Sequence, residues 1–481
     1  MNVINLDSEL KEAAYQEVEA SRNTVEKDPY RLKHHIMPPV GLLNDPNGFI
    51  QWKGIYHLFY QWMPFKTGHG AKFWGHYTSR DLVNWEHEPI ALAPSEWYEK
   101  NGCYSGSAIE AFDKLHLFYT GNVKDENGER ETYQCLAVSE DGIHFDKKGV
   151  VAELPDGYTA HFRDPKVWGH EGKWYMVAGA QTKEMAGRAA LLVSENLYNW
   201  ELLGDVAGSN TDQLDEFGYM WECPDLFRLN GKDVLIVSPQ GLEPEGNLYQ
   251  NVYQSGYFVG ELDYKTAKLN HGEFTELDRG FDFYAPQTTV DEKGRRLLIA
   301  WMSVPDQDED KHPTIANKWI HTMTFPRKLS IKGENLLQEP VEELKALRKN
   351  EQVLEMVKIT NEEVQKRETE GAVYELILDQ IKVEDSFKLS IKKNAELHYS
   401  RRDQLFTLTR ISYADGHPES RKCHLAELTK LQVFVDTSSI EVFINDGEEV
   451  FTARMFPDAE EKSSVFSSEG ETVFHLKKWD L

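Results

Sequence analysis

Apolar and polar positions alternate along much of the chain with the period of a strand, and one such stretch recurs. A turn residue followed by alternating aromatic and aliphatic residues appears as GIYHLFYQW from Gly54, DKLHLFYTGN from Asp113, GKWYMVAGAQ from Gly172, GKDVLIVSPQ from Gly231 and GRRLLIAWMS from Gly294. The starts lie 59, 59, 59 and 63 residues apart. Three copies are followed by a second shared element, SRDLVNWE from Ser79, SEDGIHFD from Ser139 and SENLYNWE from Ser194. A period of about 60 residues built from short strands and Gly or Asp turns suits a four-stranded antiparallel blade with its loops. Five units predict an all-β, five-bladed β-propeller over residues 31–335. A β-sandwich whose strands happen to recur leaves three equal spacings to chance.

Beyond residue 335 the period stops, and LLQEPVEELKALRKNEQ reads as a linker with a short helix, residues 336–355. Residues 356–481 alternate again, in VYELILDQIKV, SFKLSIKKN, DQLFTLTRISY and SIEVFINDGEEVFTARMF, with a hairpin turn at Asn445-Asp446-Gly447. They predict a C-terminal antiparallel β-sandwich. Residues 1–30 form a helical extension, with a short helix over residues 8–20 and Leu10, Ala13, Ala14 and Val18 along one side.

A formal charge of -27 disfavours nucleic acid and anionic membranes as partners, which leaves a small molecule. No apolar run reaches the ~20 residues of a membrane-spanning helix. The N-terminus carries acidic residues and no apolar stretch of signal-peptide type. Cys103, Cys135, Cys223 and Cys423 stand far apart, without zinc or disulfide-framework spacing. A reducing, cytoplasmic setting is expected. Nothing in the pattern speaks to oligomeric state.

The residues ahead of each recurring strand carry the candidate chemistry, because the innermost strands of propeller blades surround a common axis. Asp45 stands in LLNDPNG, Asp164 in FRDPKVW and Glu222 in WECPDLF, each eight or nine residues before its strand marker. CYSGSA and DFYAPQ precede the other two. Equivalent positions on converging strands bring the three acids into one axial pocket, where burial and like charge raise at least one pKa. Glycoside hydrolysis uses such a set: an ionised carboxylate to attack the anomeric carbon and a protonated one to serve the leaving oxygen. A third can stabilise the developing positive charge. Trp62, Trp74, Tyr104 and Trp221, near these motifs, offer apolar faces to a sugar. A single Asp-Pro equally well shapes a turn; three in register argue for a site. No His joins the acids at ligand spacing, so neither a metal nor a cofactor is called for. Asp306–Asp310 reads as a solvated loop, and His34 and His35 as structural. Ser105-Gly106-Ser107 lacks the strand-to-helix setting of a nucleophile elbow.

At these residues the chain resembles glycoside hydrolase family 32, the invertases and fructanases. The match is NDPNG at 44–48, RDP at 163–165 and EC at 222–223, and it extends to WGHYTS at 74–79, CYSGSA at 103–108, DFYAPQ at 282–287 and SIEVFINDG at 439–447. From HIMPPVGLLNDPNG to FWGHY the chain is similar to cytoplasmic bacterial members that act on sucrose 6-phosphate. The resemblance implies retaining hydrolysis of the β-D-fructofuranosyl bond of sucrose 6-phosphate or sucrose. It implies Asp45 as nucleophile, Glu222 as acid/base and Asp164 as transition-state stabiliser. It also implies a fructosyl subsite of Leu43, Asn44, Gln61, Trp74, Tyr104, Ser105 and Arg163. Fructosyl transfer on the same scaffold is the alternative activity. A non-catalytic sugar-binding propeller has no need of three converging acids.

A chain of this charge that binds a dianionic sugar must supply local positive charge against its own field. The loop KTGHGAKFW offers His69 and Lys72 as phosphate or rim residues, with Gly68 and Gly70 leaving backbone N–H groups open. The alternative is a solvated loop. Leu43 and His69 stand where many relatives of the family carry Met and Trp.

Overall fold

The computed structural model describes residues 5–211 and 213–481. The recurring segments become strands because the residue ahead of each one turns the chain. Gly54, Gly172, Gly231 and Gly294 have φ of 77°, 78°, 86° and 75°, the left-handed region that suits glycine, and Asp113 takes the same role at 59°. A Cβ at any of the four glycines would meet nothing within 4 Å, so backbone conformation, not space, selects glycine there.

Each recurring segment is the second strand of a four-stranded blade. The blades are Gly41–Trp52 to Trp85–His87, Cys103–Ala111 to Asp146–Glu153, Tyr158–His170 to Glu201–Gly208, Met220–Leu229 to Lys268–His271 and Tyr284–Val290 to Asn335–Pro340. The first strands of successive blades pack against one another around the axis. Trp319–Ile320, an excursion from the fifth blade, pairs in parallel with Gly41 and Leu42 and closes the circle. The second shared element is the turn between third and fourth strands: Ser79 Oγ meets Asp81 at 3.1 Å, Ser139 meets Asp141 at 3.0 Å and Ser194 meets Asn196 at 3.3 Å. The acceptor oxygens then take the following backbone N–H groups, as Asx turns do.

The N-terminal helix spans Leu6–Glu26, longer than the periodicity over 8–20 predicts, and starts at Asn5, whose side chain accepts from Asp7 N at 3.1 Å. Ala14, Ser21 and Val25 are buried against the propeller, with Leu10 and Val18 partly buried on the same stripe. Ala13 faces solvent instead, one residue and ~100° around from Ala14.

The fifth blade keeps its outer strand Asn335–Pro340, and the sandwich opens with Lys349–Thr360, so the connection is shorter than the linker read over 336–355. Two six-stranded antiparallel sheets follow, and Asn445 and Asp446, at φ of 48° and 59°, turn the hairpin between Ser439–Ile444 and Glu449–Arg454. Propeller and sandwich are joined by a buried ion network. Arg327 of blade five, wholly buried, donates to Asp278 at 3.1 Å and to Glu441 and Thr452 of the sandwich at 2.8 and 2.7 Å. His35 bridges Asp436 and Glu441 at 2.8 and 3.2 Å, the structural place expected of it.

Removing one partner of a buried ion pair leaves uncompensated charge and costs about 3–5 kcal/mol. Arg327→Ala is therefore expected to be destabilised by about that much in urea unfolding of the full chain, while Arg327→Met, which fills the space, loses part of the packing penalty but not the charge penalty. An Arg327→Ala protein as stable as the parent would show that the network contributes nothing.

Candidate active site

Each innermost strand is broken at the same place. Register irregularities fall at Leu43/Pro46, Tyr104/Gly106, Glu222/Asp225 and Tyr284/Gln287, and opposite Val177/Gly179 in the third blade. Pro46, Pro165, Pro224 and Pro286 have no N–H for the ladder, so the strand must bulge. In the second blade Gly106 takes the proline's place, where a Cβ would lie 1.9 Å from Phe118 O. A bulge re-aims the side chains beside it, here into the axial cleft. Asp164, Cys223 and Ala285, each before its proline, sit at φ of 64°, 47° and 48°, a strained conformation for residues with a Cβ.

In register, the bulge residues are Asp45, Ser105, Asp164, Cys223 and Ala285, and the residues before them are Asn44, Tyr104, Arg163, Glu222 and Tyr284. Asp45 and Asp164 are thus equivalent, but Glu222 is not: it stands one position earlier, and Cys223 occupies the matching place. Its one-carbon-longer side chain reaches the same cleft from there.

The cleft, about 580 Å³, is lined by Asp45, Asp164, Glu222, Asn44, Gln61, Tyr104 and Arg163, among others. Ser105 Oγ donates to Asp45 Oδ2 at 2.5 Å and Asn44 Nδ2 to Asp45 Oδ1 at 3.1 Å. Gln61 braces both, accepting from Asn44 at 3.3 Å and donating to Ser105 at 2.5 Å. Glu222 accepts from Arg163 Nη2 at 2.6 Å and Nε at 3.1 Å, from Gln240 Nε2 at 2.8 Å and from Tyr284 OH at 2.7 Å. Asp164 accepts from Cys223 N at 3.0 Å, and Cys223 Sγ lies 3.6 Å from Asp164 and 3.8 Å from Asp45. Beneath the acids the axis is closed by the prolines and by Lys166 paired to Asp225 at 3.0 Å.

Burial pushes the Asp164 carboxyl up to about 7, with Glu222 and Asp45 adding to the shift and the Arg163 guanidinium opposing it. Burial also raises Asp45, against hydrogen bonds from Ser105 and Asn44. Asp164 therefore holds its proton well above the ordinary carboxylate range, as groups in functional clusters often do.

Several expected residues lie elsewhere. Leu43 and Trp74 are wholly buried behind the cleft, where the Trp74 indole donates to Tyr104 O at 3.1 Å and so positions that strand. Trp62 and Trp221 are core residues too, their indoles spent on Val40 O and Phe217 O; of the four aromatics expected to face a sugar, only Tyr104 lines the cleft. Lys72 does line the cleft, but from within its wall: it is buried, donates to Asn44 Oδ1 at 2.8 Å, and is lowered to about 7 by burial despite Asp45. His69 lines the cleft at its half-exposed edge, where it pairs with Glu309 at 3.2 Å. Glu309 also takes His321 at 2.8 Å, and Asp306 lines the cleft, so 306–310, solvated at Asp306, Asp308 and Asp310, also borders the cleft. A groove of about 650 Å³ between blade five and the sandwich is larger, but its Arg295 and Arg348 are paired to Glu343 and Glu375.

Gln240, Tyr284, Trp301, Lys124 and Arg130 line the cleft without having been read as site residues. The second strands carried a signal. Ladder partners of Tyr104, Arg163, Glu222 and Tyr284 are Thr120, Gly179, Ser238 and Trp301, all the eighth residue of the repeat. Reading that position across blades points to Trp301, whose buried indole N–H has no partner among the described residues.

A five-bladed propeller whose axial cleft gathers two aspartates, a glutamate and an arginine has the construction of a glycoside hydrolase. Residues 35–340 match the glycosyl hydrolases family 32 N-terminal domain and residues 343–480 the family 32 C-terminal domain, and the chain belongs to that family. It is 56% identical over 99% of both chains to the sucrose-6-phosphate hydrolase of Bacillus subtilis, and 44% identical over 89% of both to that of Salmonella typhimurium. Among solved structures, the sucrose-6-phosphate hydrolase of Lactobacillus gasseri superposes with a TM-score of 0.88 at 33% identity, covering 97% of this chain and 96% of that one. A Bombyx mori β-fructofuranosidase variant in complex with sucrose gives 0.84 at 34% identity, covering 98% of both. No helix among the described residues is long and apolar enough to cross a membrane.

A carboxyl whose folded pKa exceeds its unfolded value of ~3.9 binds its proton more tightly when folded, so its stabilising contribution is present at low pH and is lost as pH rises through the folded value, about 7 for Asp164. Asp164→Asn removes that loss. Its unfolding midpoint is expected to exceed the parent's by roughly 3 °C or more above neutrality, with the gap closing toward about pH 4. Thermal scans across that range decide it; a gap independent of pH would rule out the raised pKa.

Proposed function

We propose that the protein hydrolyses the β-D-fructofuranosyl bond of sucrose 6-phosphate, and of sucrose, with retention of configuration. The observation that carries the reading is that Asp45 and Glu222 face one cleft, each oriented by hydrogen-bond donors of its own. Asp45 is held by a hydroxyl and an amide, which oppose the upward push of burial and favour the ionised, nucleophilic form. Glu222, held by Arg163, Gln240 and Tyr284, keeps its side chain 17% exposed, where a leaving group can reach it.

Asp45 attacks the fructosyl anomeric carbon while Glu222 gives a proton to the bridging oxygen, and the glucosyl part departs. Glu222, now a base, takes a proton from water, which attacks the same carbon and frees fructose and Asp45. Asp164 accepts from the fructosyl hydroxyls and its charge favours the oxocarbenium-like transition state. Arg163 holds Glu222 and lies 3.9 Å from Asp164, so one cation moderates the repulsion between two acids. A phosphorylated sugar does not cross a bilayer unaided, which supports a cytoplasmic place for the enzyme, as do its four free cysteines.

Asp45→Ala and Glu222→Ala are each expected to lower kcat by on the order of 10²-fold or more with the fold intact by circular dichroism. Glu222→Ala should recover partly on a fructoside with a good leaving group, which needs less acid assistance. Near-normal turnover in either variant would remove that residue from its role, and inversion at the first-formed fructose, followed by NMR, would remove the covalent mechanism.

A further inference from the structure

We infer that Lys124 and Arg130, at the mouth of the cleft on the second blade, bind the phosphate of the hexose 6-phosphate leaving group. The inference rests on the proposed activity and extends it to the part of the substrate that distinguishes sucrose 6-phosphate from sucrose.

The other cations of the cleft are already committed. Arg163 is bound to Glu222, Lys72 is buried at Asn44, and His69 is paired with Glu309. The wall of residues 306–310 is acidic and unsuited to a dianion. Lys124 and Arg130 line the same cleft, and neither belongs to an ion pair among the described residues. In a chain of charge -27, two unneutralised cations side by side at a cleft are an exception that asks for an anion.

Their placement is built rather than incidental. Lys124 and Arg130 are direct cross-strand partners at the end of the hairpin between Lys114–Lys124 and Arg130–Ser139. Like charges at such positions repel and destabilise a hairpin. The turn between them holds Asp125, Glu126 and Glu129, yet Asp125 is spent on its own turn, accepting from Asn127 N and Glu129 N at 2.8 Å each. Lys124 N donates to Asn101 Oδ1 at 2.7 Å, which fixes the hairpin to the cleft wall. The Arg130 guanidinium lies 5.8 Å from the ring centre of Tyr104, another residue of the cleft lining, so the cation stands on the cleft side of the hairpin. His161, bonded to Arg163, is pushed down to about 4 by burial, then by Arg163 and Arg130, against Glu222, with Lys124 adding to it: the fields of both hairpin cations reach this side of the cleft. A planar fork and a mobile ammonium together match a phosphate monoester.

The test compares kcat/KM for sucrose 6-phosphate and sucrose in the parent, Arg130→Ala, Arg130→Lys and the Lys124→Ala/Arg130→Ala pair. The ratio of the two is taken within each protein, so partial misfolding cancels. Arg130→Ala is expected to lower that ratio about 10-fold or more, the pair further, and Arg130→Lys less, on the scale of lost hydrogen bonds to a charged group. Glucose 6-phosphate titrated calorimetrically should bind the parent and bind the double variant at least about 10-fold more weakly, with glucose as the uncharged control. An unchanged ratio, or unchanged glucose 6-phosphate binding, overturns the inference. A parent enzyme that cleaves neither sugar overturns the proposed activity instead, and the calorimetric arm still decides whether these two cations hold the phosphate.

Discussion

Three carboxylates that repel one another are brought together by five strands converging on one axis, and the rest of the cleft answers that repulsion. In an interior of low polarity the charges are screened little, so each must find a donor or keep a proton. Asp45 has Ser105 and Asn44, Glu222 has Arg163, Gln240 and Tyr284, and Asp164 has the Cys223 amide and a raised pKa. A site assembled this way keeps a proton on Asp164 up to about neutral pH.

Convergence depends on a backbone device repeated around the ring. A proline that cannot join the ladder forces a bulge, the bulge turns two successive side chains toward the axis, and three non-glycine residues accept left-handed conformations to permit it. That strain is tolerable because the second strand of every blade is almost wholly buried and pairs with both neighbours, so the distorted strand is held on a rigid support. The sandwich adds to this rigidity from outside: Arg327 of blade five and His35, ahead of blade one, both reach its Glu441, and Asp278 pairs with Arg327, so buried ion pairs lock the two domains together.

The hairpin of the second blade shows the same economy at the rim. Two cations are placed opposite each other where a stable hairpin would carry opposite charges, a local conflict of the kind that concentrates at functional sites. The fifth blade's wall, by contrast, uses Glu309 to hold His69 and His321, so the two sides of the mouth carry opposite charge.

The sequence by itself determined the repeat, and with it the propeller, because strand alternation and turn glycines are local properties that each recur with the blade. It also placed the acids, since residues at a fixed offset from a repeated strand must meet wherever the strands meet. The hairpin at Asn445-Asp446-Gly447 and the N-terminal amphipathic stripe were legible for the same local reasons. What only the tertiary structure decided is which neighbours each side chain meets. Leu43, Trp62, Trp74 and Trp221 sit beside the motifs in sequence yet point into the core, because alternate residues of a strand face opposite sides and a bulge shifts which side that is. Lys72 turned inward to Asn44, Glu309 came from more than two hundred residues away to take His69, and Glu222 proved one position out of register with the two aspartates. Charge pairing and bulge register are set by chain segments far apart in sequence, and no periodicity records them.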